Sequence, residues 1–254
     1  MVRAAEKAGR SLVRDFGEVE NLQVSIKGPG DFVSAADKRS EQIIFEELRR
    51  AKPGYSFLME ESGRVEGEDK EHVWVIDPLD GTTNFLHGLP HWCISIALVD
   101  KGEVTLGLIY DPIKDDLFTA EKGKGAFHRR RRLRVSGRRD FPMTAIATGA
   151  PMRTMKQAGP QFMKEYDSIQ SLGAGMRRFG AAALDLAYVA SGKFDGFWER
   201  NLQPWDIAAG MLLVKEAGGF VADLDKDTND VLKTGNILAA NEHIFTDMKK
   251  VLRK

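Results

Sequence analysis

Two short apolar runs, Tyr55–Met59 and 72–76, each end on an acidic residue. Apolar runs of this length bounded by turn residues read as strands of a sheet. They predict strands that deliver Glu60 and Asp77 at their exits. Behind the second, the chain continues Asp77-Pro78-Leu79-Asp80-Gly81-Thr82-Thr83-Asn84-Phe85. Asp77 and Asp80 thus share one tight turn around Pro78 and Leu79, and Gly81-Thr82-Thr83 can open a helix directly after it. Hard divalent ions such as magnesium take oxygen ligands, one or two carboxylates each, and complete their shell with water and substrate phosphate. The free N–H groups of a helix start bind a phosphate oxygen, so a cation site and an anion site can be adjacent here. Alone, a D-x-x-D pair is more often an acidic surface turn. Context comes from Glu60-Glu61 and from Trp205-Asp206, which begins a later helix, where an acid also serves simply to complement the helix dipole.

The surrounding pattern divides in two. The chain opens inside a helical pattern, with Ala8, Leu12, Val13 and Phe16 at helical spacing. Ser34-Ala35-Ala36-Asp37 has the form of a capping box, and Ile43, Ile44 and Leu48 follow at helical spacing until Lys52-Pro53-Gly54 ends the helix. The runs 93–99, 103–110 and 116–120 read as strands, with Asp100-Lys101-Gly102 as a hairpin turn. The first part, to about residue 140, therefore predicts a helix layer on an antiparallel sheet. From about residue 141, strands at 145–147 and 194–198 interleave with helices near 155–167, 181–191 and 204–217. Pro204 suits a first helical turn and Gly218-Gly219 a helix end. Without a repeat or a low-complexity linker, residues 1–254 read as one α/β (α+β) domain with these two sub-regions.

Composition narrows the function further. With 37 basic and 37 acidic residues, no global field favours nucleic acid, an anionic membrane or a polyanion. The single cysteine, Cys93, excludes an intrachain disulfide and a cysteine zinc cage, and its apolar surroundings suit a buried small residue. No apolar run approaches the roughly 20 residues that span a bilayer, and the N-terminus lacks a signal peptide's apolar core, so a soluble cytoplasmic protein is expected. The five histidines are scattered along the chain, and neither a zinc helix nor a catalytic triad is expected from them. Gly123-Lys124-Gly125 lacks the phosphate-loop frame and reads as a turn. Arg129-Arg130-Arg131-Arg132-Leu133-Arg134 falls between short strands as a hairpin tip would, a solvated loop more than a nucleic-acid surface.

The segments Gly30-Asp31-Phe32-Val33-Ser34-Ala35-Ala36-Asp37, Met59-Glu60-Glu61-Ser62, 77–85, Phe179-Gly180-Ala181-Ala182-Ala183 and 205–219 lie in order across most of the chain. In them the chain resembles the inositol monophosphatase family, of the lithium-sensitive, magnesium-dependent phosphatase superfamily, and in particular its bacterial inositol-1-monophosphatases. The resemblance implies a layered αβαβα sandwich of the inositol monophosphatase / fructose-1,6-bisphosphatase type, a homodimer and lithium sensitivity. It implies two Mg2+ ions, one on Glu60, Asp77 and the Leu79 carbonyl, the second on Asp77, Asp80 and Asp206, with Glu60 reaching a third, weaker ion through water. It also implies phosphate contacts at Gly81 and Thr82, a water-orienting pair in Asp37 and Thr82, and substrate contacts at Gly180, Ala181, Asp206 and Glu199, the last to a sugar or cyclitol hydroxyl. Lys27 matches a lysine near the phosphate, on a stretch to Asp31 one residue shorter than in animal relatives, and Met59 stands where a glycine is frequent.

The expected reaction is hydrolysis of a small phosphate monoester, myo-inositol 1-phosphate foremost, by a metal-activated water without a covalent intermediate. Fructose 1,6-bisphosphate, histidinol phosphate and nucleotide 3'-phosphates are the rival substrates. An RNA- or transcription-associated role through the arginine run is the rival from another class.

Overall fold

The structure, a computed structural model, describes residues 1–18, 24–28, 31–150, 155–225 and 230–253. Two helices, α1 (Val2–Phe16) and α2 (Ala35–Ala51), form the outermost layer, and a hairpin of β1 (Val24–Gly28) and β2 (Asp31–Ser34) lies between them in sequence. Ala4, Ala5, Ala8 and Leu12 form the buried stripe of α1, whereas Val13 is turned outward at 40% exposure, so its helical spacing marks the wrong face. The Ser34 capping box starts α2 as its sequence requires.

The strands that follow are β3 (Tyr55–Met59), β4 (Gly63–Val65), β5 (Asp69–Asp80), β6 (Cys93–Asp100), β7 (Glu103–Asp111), β8 (Asp116–Glu121), β9 (Gly125–His128) and β10 (Arg131–Arg132), with the short helix α3 (Thr82–Leu86) after β5. They form one sheet in the order β10-β9-β8-β7-β6-β5-β3-β4. The expected antiparallel arrangement holds except at one place: β3 and β5 are parallel, with Met59 opposite Ile76. The cause is β4, which folds back along the outer edge of β3, so the chain re-enters on the other flank of β3 in the original direction. Parallel pairing brings the exits of β3 and β5 to the same end of the sheet, and the Glu60 N–H bonds the Ile76 carbonyl at 3.2 Å. Arg129 and Arg130 form the tip of the β9–β10 hairpin, as the arginine run suggests, while Arg131 and Arg132 belong to β10.

The second part contributes β11 (Ala145–Thr148), α4 (Met155–Gln170), β12 (Gly175–Arg177), α5 (Ala182–Ala190), β13 (Gly196–Glu199), α6 (Pro204–Glu216), β14 (Phe220–Asp223), α7 (Val231–Thr234), β15 (Ile237–Ala240) and α8 (Glu242–Leu252). Its strands form a mixed sheet, β12-β11-β13-β15-β14. Helices α5 and α6, apolar around most of their circumference, fill the space between the two sheets. Alternation along the first sheet serves both of its faces: Val75, Ala97 and Ile109 pack on α5 and α6, while their neighbours Ile76, Ile96 and Leu108 pack under α1 and α2. Ile169 of α4 and Ile244 and Met248 of α8 cover the far side of the second sheet. The layers therefore run α, β, α, β, α. Among the described residues no helix is long and apolar enough to cross a membrane.

The buried carboxylate of Asp195 fastens the connection from β10 onto the second sheet. It accepts from Arg138 Nε at 2.7 Å and from the Ala145 N–H at 2.8 Å, and also bonds the Ser136 hydroxyl. Close seating of α6 on the first sheet depends on Gly107 of β7, where a Cβ would stand 2.9 Å from the Ala209 carbonyl oxygen. Gly107→Val is expected to lower stability by about 2 kcal/mol through overpacking, read as a lower urea midpoint at unchanged m value. An unchanged midpoint would mean that α6 is not held at this glycine.

Candidate active site

Along a regular strand Asp77 and Asp80, an odd number of residues apart, would face opposite sides. Strand β5 solves this with a register shift against β6: Asp77 pairs with Ser95 and Asp80 with Cys93, three steps against two. Pro78, which has no N–H for the ladder, lies inside that irregularity. The Leu79 N–H turns back to Asp77 Oδ1 at 2.9 Å. Gly81 then adopts φ +93°, and a Cβ there would meet the His91 carbonyl oxygen at 3.0 Å and the Ala181 Cβ at 3.2 Å, so only glycine suits the turn into α3. The Thr82 hydroxyl lies 3.1 Å from both Asp37 Oδ1 and the Leu79 carbonyl oxygen.

Asp37 is fully buried in the first turn of α2, where its Oδ2 accepts from the Ser34 N–H at 2.9 Å and from Ser34 Oγ at 2.5 Å. Burial raises its pKa, opposed by the bonds from Ser34 and Thr82. Asp80 Oδ2 accepts the Ala183 N–H at 2.7 Å, so the start of α5 grips this carboxylate. Burial pushes Asp80 up to about 7 against that bond, with Asp185 and Glu60 adding to the rise. Asp77 is held well above the usual carboxylate range by burial first, then by Glu60, Asp80 and Asp206, and it shares a hydrogen bond with Glu60. Asp206 sits in the first turn of α6, where its Oδ2 accepts the Gln203 N–H at 2.7 Å, so the helix-capping role and proximity to the acidic cluster hold together.

Glu199 ends β13 and is likewise pushed well up by burial, then by Asp206, Asp185 and Asp80, with Arg178 opposing. Gly149 is the floor under it: a Cβ there would fall 2.0 Å from Glu199 Oε1. Gly180 and Ala181 lead into α5 beside Gly81, and Asn84 ties this segment down through bonds from Nδ2 to the Phe179 and His91 carbonyls, at 2.7 and 2.8 Å. Sequence reasoning missed Asn84, Ala183 and the close approach of His91 to Asp185, 3.3 Å across the base of α5. Of these, Asn84 and Ala183 carried a signal, as parts of the 77–85 and 179–183 segments, and the approach of His91 to Asp185 carried none. The reading of Lys27 concerns a side chain outside the described residues. Cys93 is buried and its thiol pushed well up, by burial and then by Asp80 and Asp77, which makes it a poor nucleophile.

The donors gathered here are all hard oxygens, which suits a magnesium-like ion. Among the described residues no three such side chains are closed into a ready cage. Their mutual influence is nevertheless that of one cluster, since Glu60, Asp80 and Asp206 each raise Asp77. The Glu60–Asp77 bond needs a proton between two carboxyl groups, and a divalent cation is the other way to hold such a pair.

Raised carboxyl pKa values mean that the folded chain binds more protons than the unfolded chain, from the ordinary aspartate range near ~4 up to about 7 for Asp80. In EDTA the stability linked to Asp77 and Asp80 should therefore be present at the acid end of this window and be lost as pH rises through it. Melting curves between pH 5 and 8 are expected to show that fall in the parent chain and a shallower one in Asp77→Asn, which also melts higher at pH 8. An Asp77→Asn variant that melts lower at pH 8 would contradict the crowding of these carboxylates.

Residues 1–253 match the inositol monophosphatase family. The chain is 56% identical over 254 residues to the inositol-1-monophosphatase of Mesorhizobium japonicum, covering 100% of this chain and 95% of the relative. It is 45% identical to the Nus factor SuhB of Escherichia coli, over 99% of this chain and 94% of that protein. The crystal structure of the extragenic suppressor protein suhB from Bartonella henselae superposes with a TM-score of 0.96 at 56% identity, over 100% of this chain and 97% of that one. With the layered fold and the acidic cluster where strands β3 and β5 end, these likenesses place the chain in the inositol monophosphatase family of metal-dependent phosphatases.

Proposed function

We propose that residues 1–254 act as one domain that hydrolyses a small phosphorylated polyol, myo-inositol 1-phosphate foremost, with Mg2+ held by Glu60, Asp77, the Leu79 carbonyl, Asp80 and Asp206. The observation that carries this reading is the convergence on one spot of the ends of β3 and β5, the Gly81 turn and the start of α6. The name of the Mesorhizobium relative supports the choice of substrate. A cytoplasmic homodimer sensitive to lithium, with two Mg2+ ions and a third, weaker one near Glu60, belongs to the same proposal and is supported only by what the family resemblance implies.

Bound Mg2+ would supply Lewis-acid polarisation of the phosphate and of a water molecule. The protein's own part is positioning. The Thr82 hydroxyl, bonded to Asp37, orients the attacking water, and Asp37 with its raised pKa accepts the hydrogen bond passed on by Thr82. The backbone N–H groups of Gly81 and Thr82 receive phosphate oxygens. On the alcohol side, Glu199 accepts from a substrate hydroxyl, while Gly180 and Ala181 form the wall. The leaving alkoxide is stabilised by placement of charge, with no covalent intermediate on serine or cysteine.

The arginine hairpin supports RNA binding less well. Arg129 is paired with Asp115 and Arg132 lies 5.8 Å from the centre of the Phe127 ring, which leaves Arg130 at the tip, Arg131 on β10 and Arg134 beyond it exposed. Three phosphate contacts would give a salt slope of only about −2 to −3. Accordingly, the purified chain is expected to pass through an RNA column at about 0.15 M salt. Retention that Arg130→Ala and Arg131→Ala abolish would favour the rival role.

Asp80→Asn and Asp206→Asn are each expected to stay folded and lose at least about a hundredfold in kcat, about 2.7 kcal/mol, because an amide is a poorer cation ligand. Full activity in either folded variant would overturn the assignment. For the substrate, phosphate release from inositol 1-phosphate, fructose 1,6-bisphosphate, histidinol phosphate and a nucleotide 3'-phosphate is compared by kcat/KM. The cyclitol should lead, and Glu199→Gln should narrow its lead.

A further inference from the structure

Helix α2 lays Asp37, Ser40 and Glu41 on its buried face at positions i, i+3 and i+4, with exposures of 0, 0 and 3%. A helix packed on a sheet ordinarily fills such positions with apolar side chains. Here two of the polar groups reach the 77–82 segment of the acidic site and the third reaches the turn after Glu60. Asp37 takes the Thr82 hydroxyl at 3.1 Å, and Ser40 Oγ donates to the Pro78 carbonyl oxygen at 2.8 Å. Glu41 accepts the Glu61 N–H on Oε2 at 2.8 Å and the Ser62 hydroxyl on Oε1 at 2.5 Å.

A buried carboxyl group is costly unless its oxygens are bonded, and an apolar residue of similar size would often be no less stabilising. The arrangement is better explained by what it holds. Glu41 grips the two residues that follow Glu60, and the Glu60 N–H is bonded to Ile76 on the neighbouring strand. The backbone on either side of the Glu60 carboxyl is therefore fixed, on one side by β5 and on the other by the helix that also holds Pro78 and Thr82.

We infer that Glu41 is a positioning residue for Glu60. It sets the distance between the Glu60 carboxylate and the 77–82 segment by holding the 61–62 turn to α2. The inference rests on the reading of Glu60 as a cation ligand.

The test is calorimetric titration with MgCl2 of the full chain as parent, Glu41→Gln, Glu60→Gln and the double variant, with melting in EDTA as the fold control. Glu41→Gln, nearly the same shape, is expected to raise the Mg2+ half-saturation about tenfold. In the Glu60→Gln background the same substitution should have little further effect, because Glu41 acts through Glu60. Activity should show the same split, with kcat at saturating Mg2+ reduced far less than kcat at low Mg2+. Unchanged Mg2+ binding in Glu41→Gln, or equal losses in the parent and Glu60→Gln backgrounds, would overturn the inference while leaving Glu60 a ligand. Unchanged binding in Glu60→Gln would overturn the ligand reading itself and the inference with it. Should Glu41→Gln fail to fold, Ser62→Ala removes one bond from the other side and should raise the half-saturation in the same direction; no rise would overturn the inference.

Discussion

Repulsion between buried carboxyl groups is the constraint around which this molecule is arranged. Glu60, the Asp77–Asp80 turn and Asp206 come from three places in the chain, and Asp77 and Asp80 are both held above the usual carboxylate range by burial and by their acidic neighbours. They are held together by neutral groups. The Leu79 N–H points at Asp77, the Ala183 N–H at Asp80 and the Gln203 N–H at Asp206. Backbone amides at turns and helix starts therefore carry much of the electrostatic work that arginines or lysines would do elsewhere, and they leave the cluster's remaining appetite for positive charge to a cation. A phosphatase benefits from this choice, since fixed cationic side chains would compete with the ion for the same oxygens.

Bringing these separate segments to one point requires rigid supports on all sides. The first sheet is clamped to the middle layer at Gly107, which leaves no room for a side chain against α6, and within that layer α6 meets α5 at Gly210, where a Cβ would stand 2.5 Å from Leu186. Helices of mostly small and aliphatic residues can approach this closely, and their starts are then set with little play. The position of the Ala183 amide and of Asp206 is in this sense a product of core packing about one helical turn away.

Much of the frame was legible because its signals are local. The strand runs at 55–59 and 93–99, the capping box at Ser34 and the Pro204 helix start each carry their structure in neighbouring residues. The parallel pairing of β3 with β5 was not, since it depends on the three-residue strand β4, too short to show a period. Strands β14 and β15 are four residues each and suffer the same limit, while α8 had a readable start in Asn241 followed by Ile244 and Met248 that was not assigned. For the site, the acids at strand exits and the D-x-x-D turn pointed to oxygen ligation from chemistry alone, whereas the roles of Asp37, Thr82 and Glu199 came only from likeness to a family. Ser40 and Glu41 were hidden for a physical reason: polar residues at i+3 and i+4 look like a solvated stripe until the helix is seen to be turned the other way.

The distance in sequence between the parts of the acidic cluster has a consequence for how the chain comes to be active. Asp37, Glu60, Asp77 and Asp80 all belong to the first sheet and its helices, but Asp206 rides on α6, more than a hundred residues later. Until α5 and α6 have been synthesised and seated, Ala97, Ile109 and Phe118 on the inner face of that sheet have nothing to pack against. A growing chain therefore passes through a stage in which a sticky sheet and an incomplete acidic site exist together. One event, the docking of α6, covers the first and completes the second, so the apolar face is sealed and the acidic site assembled in the same step.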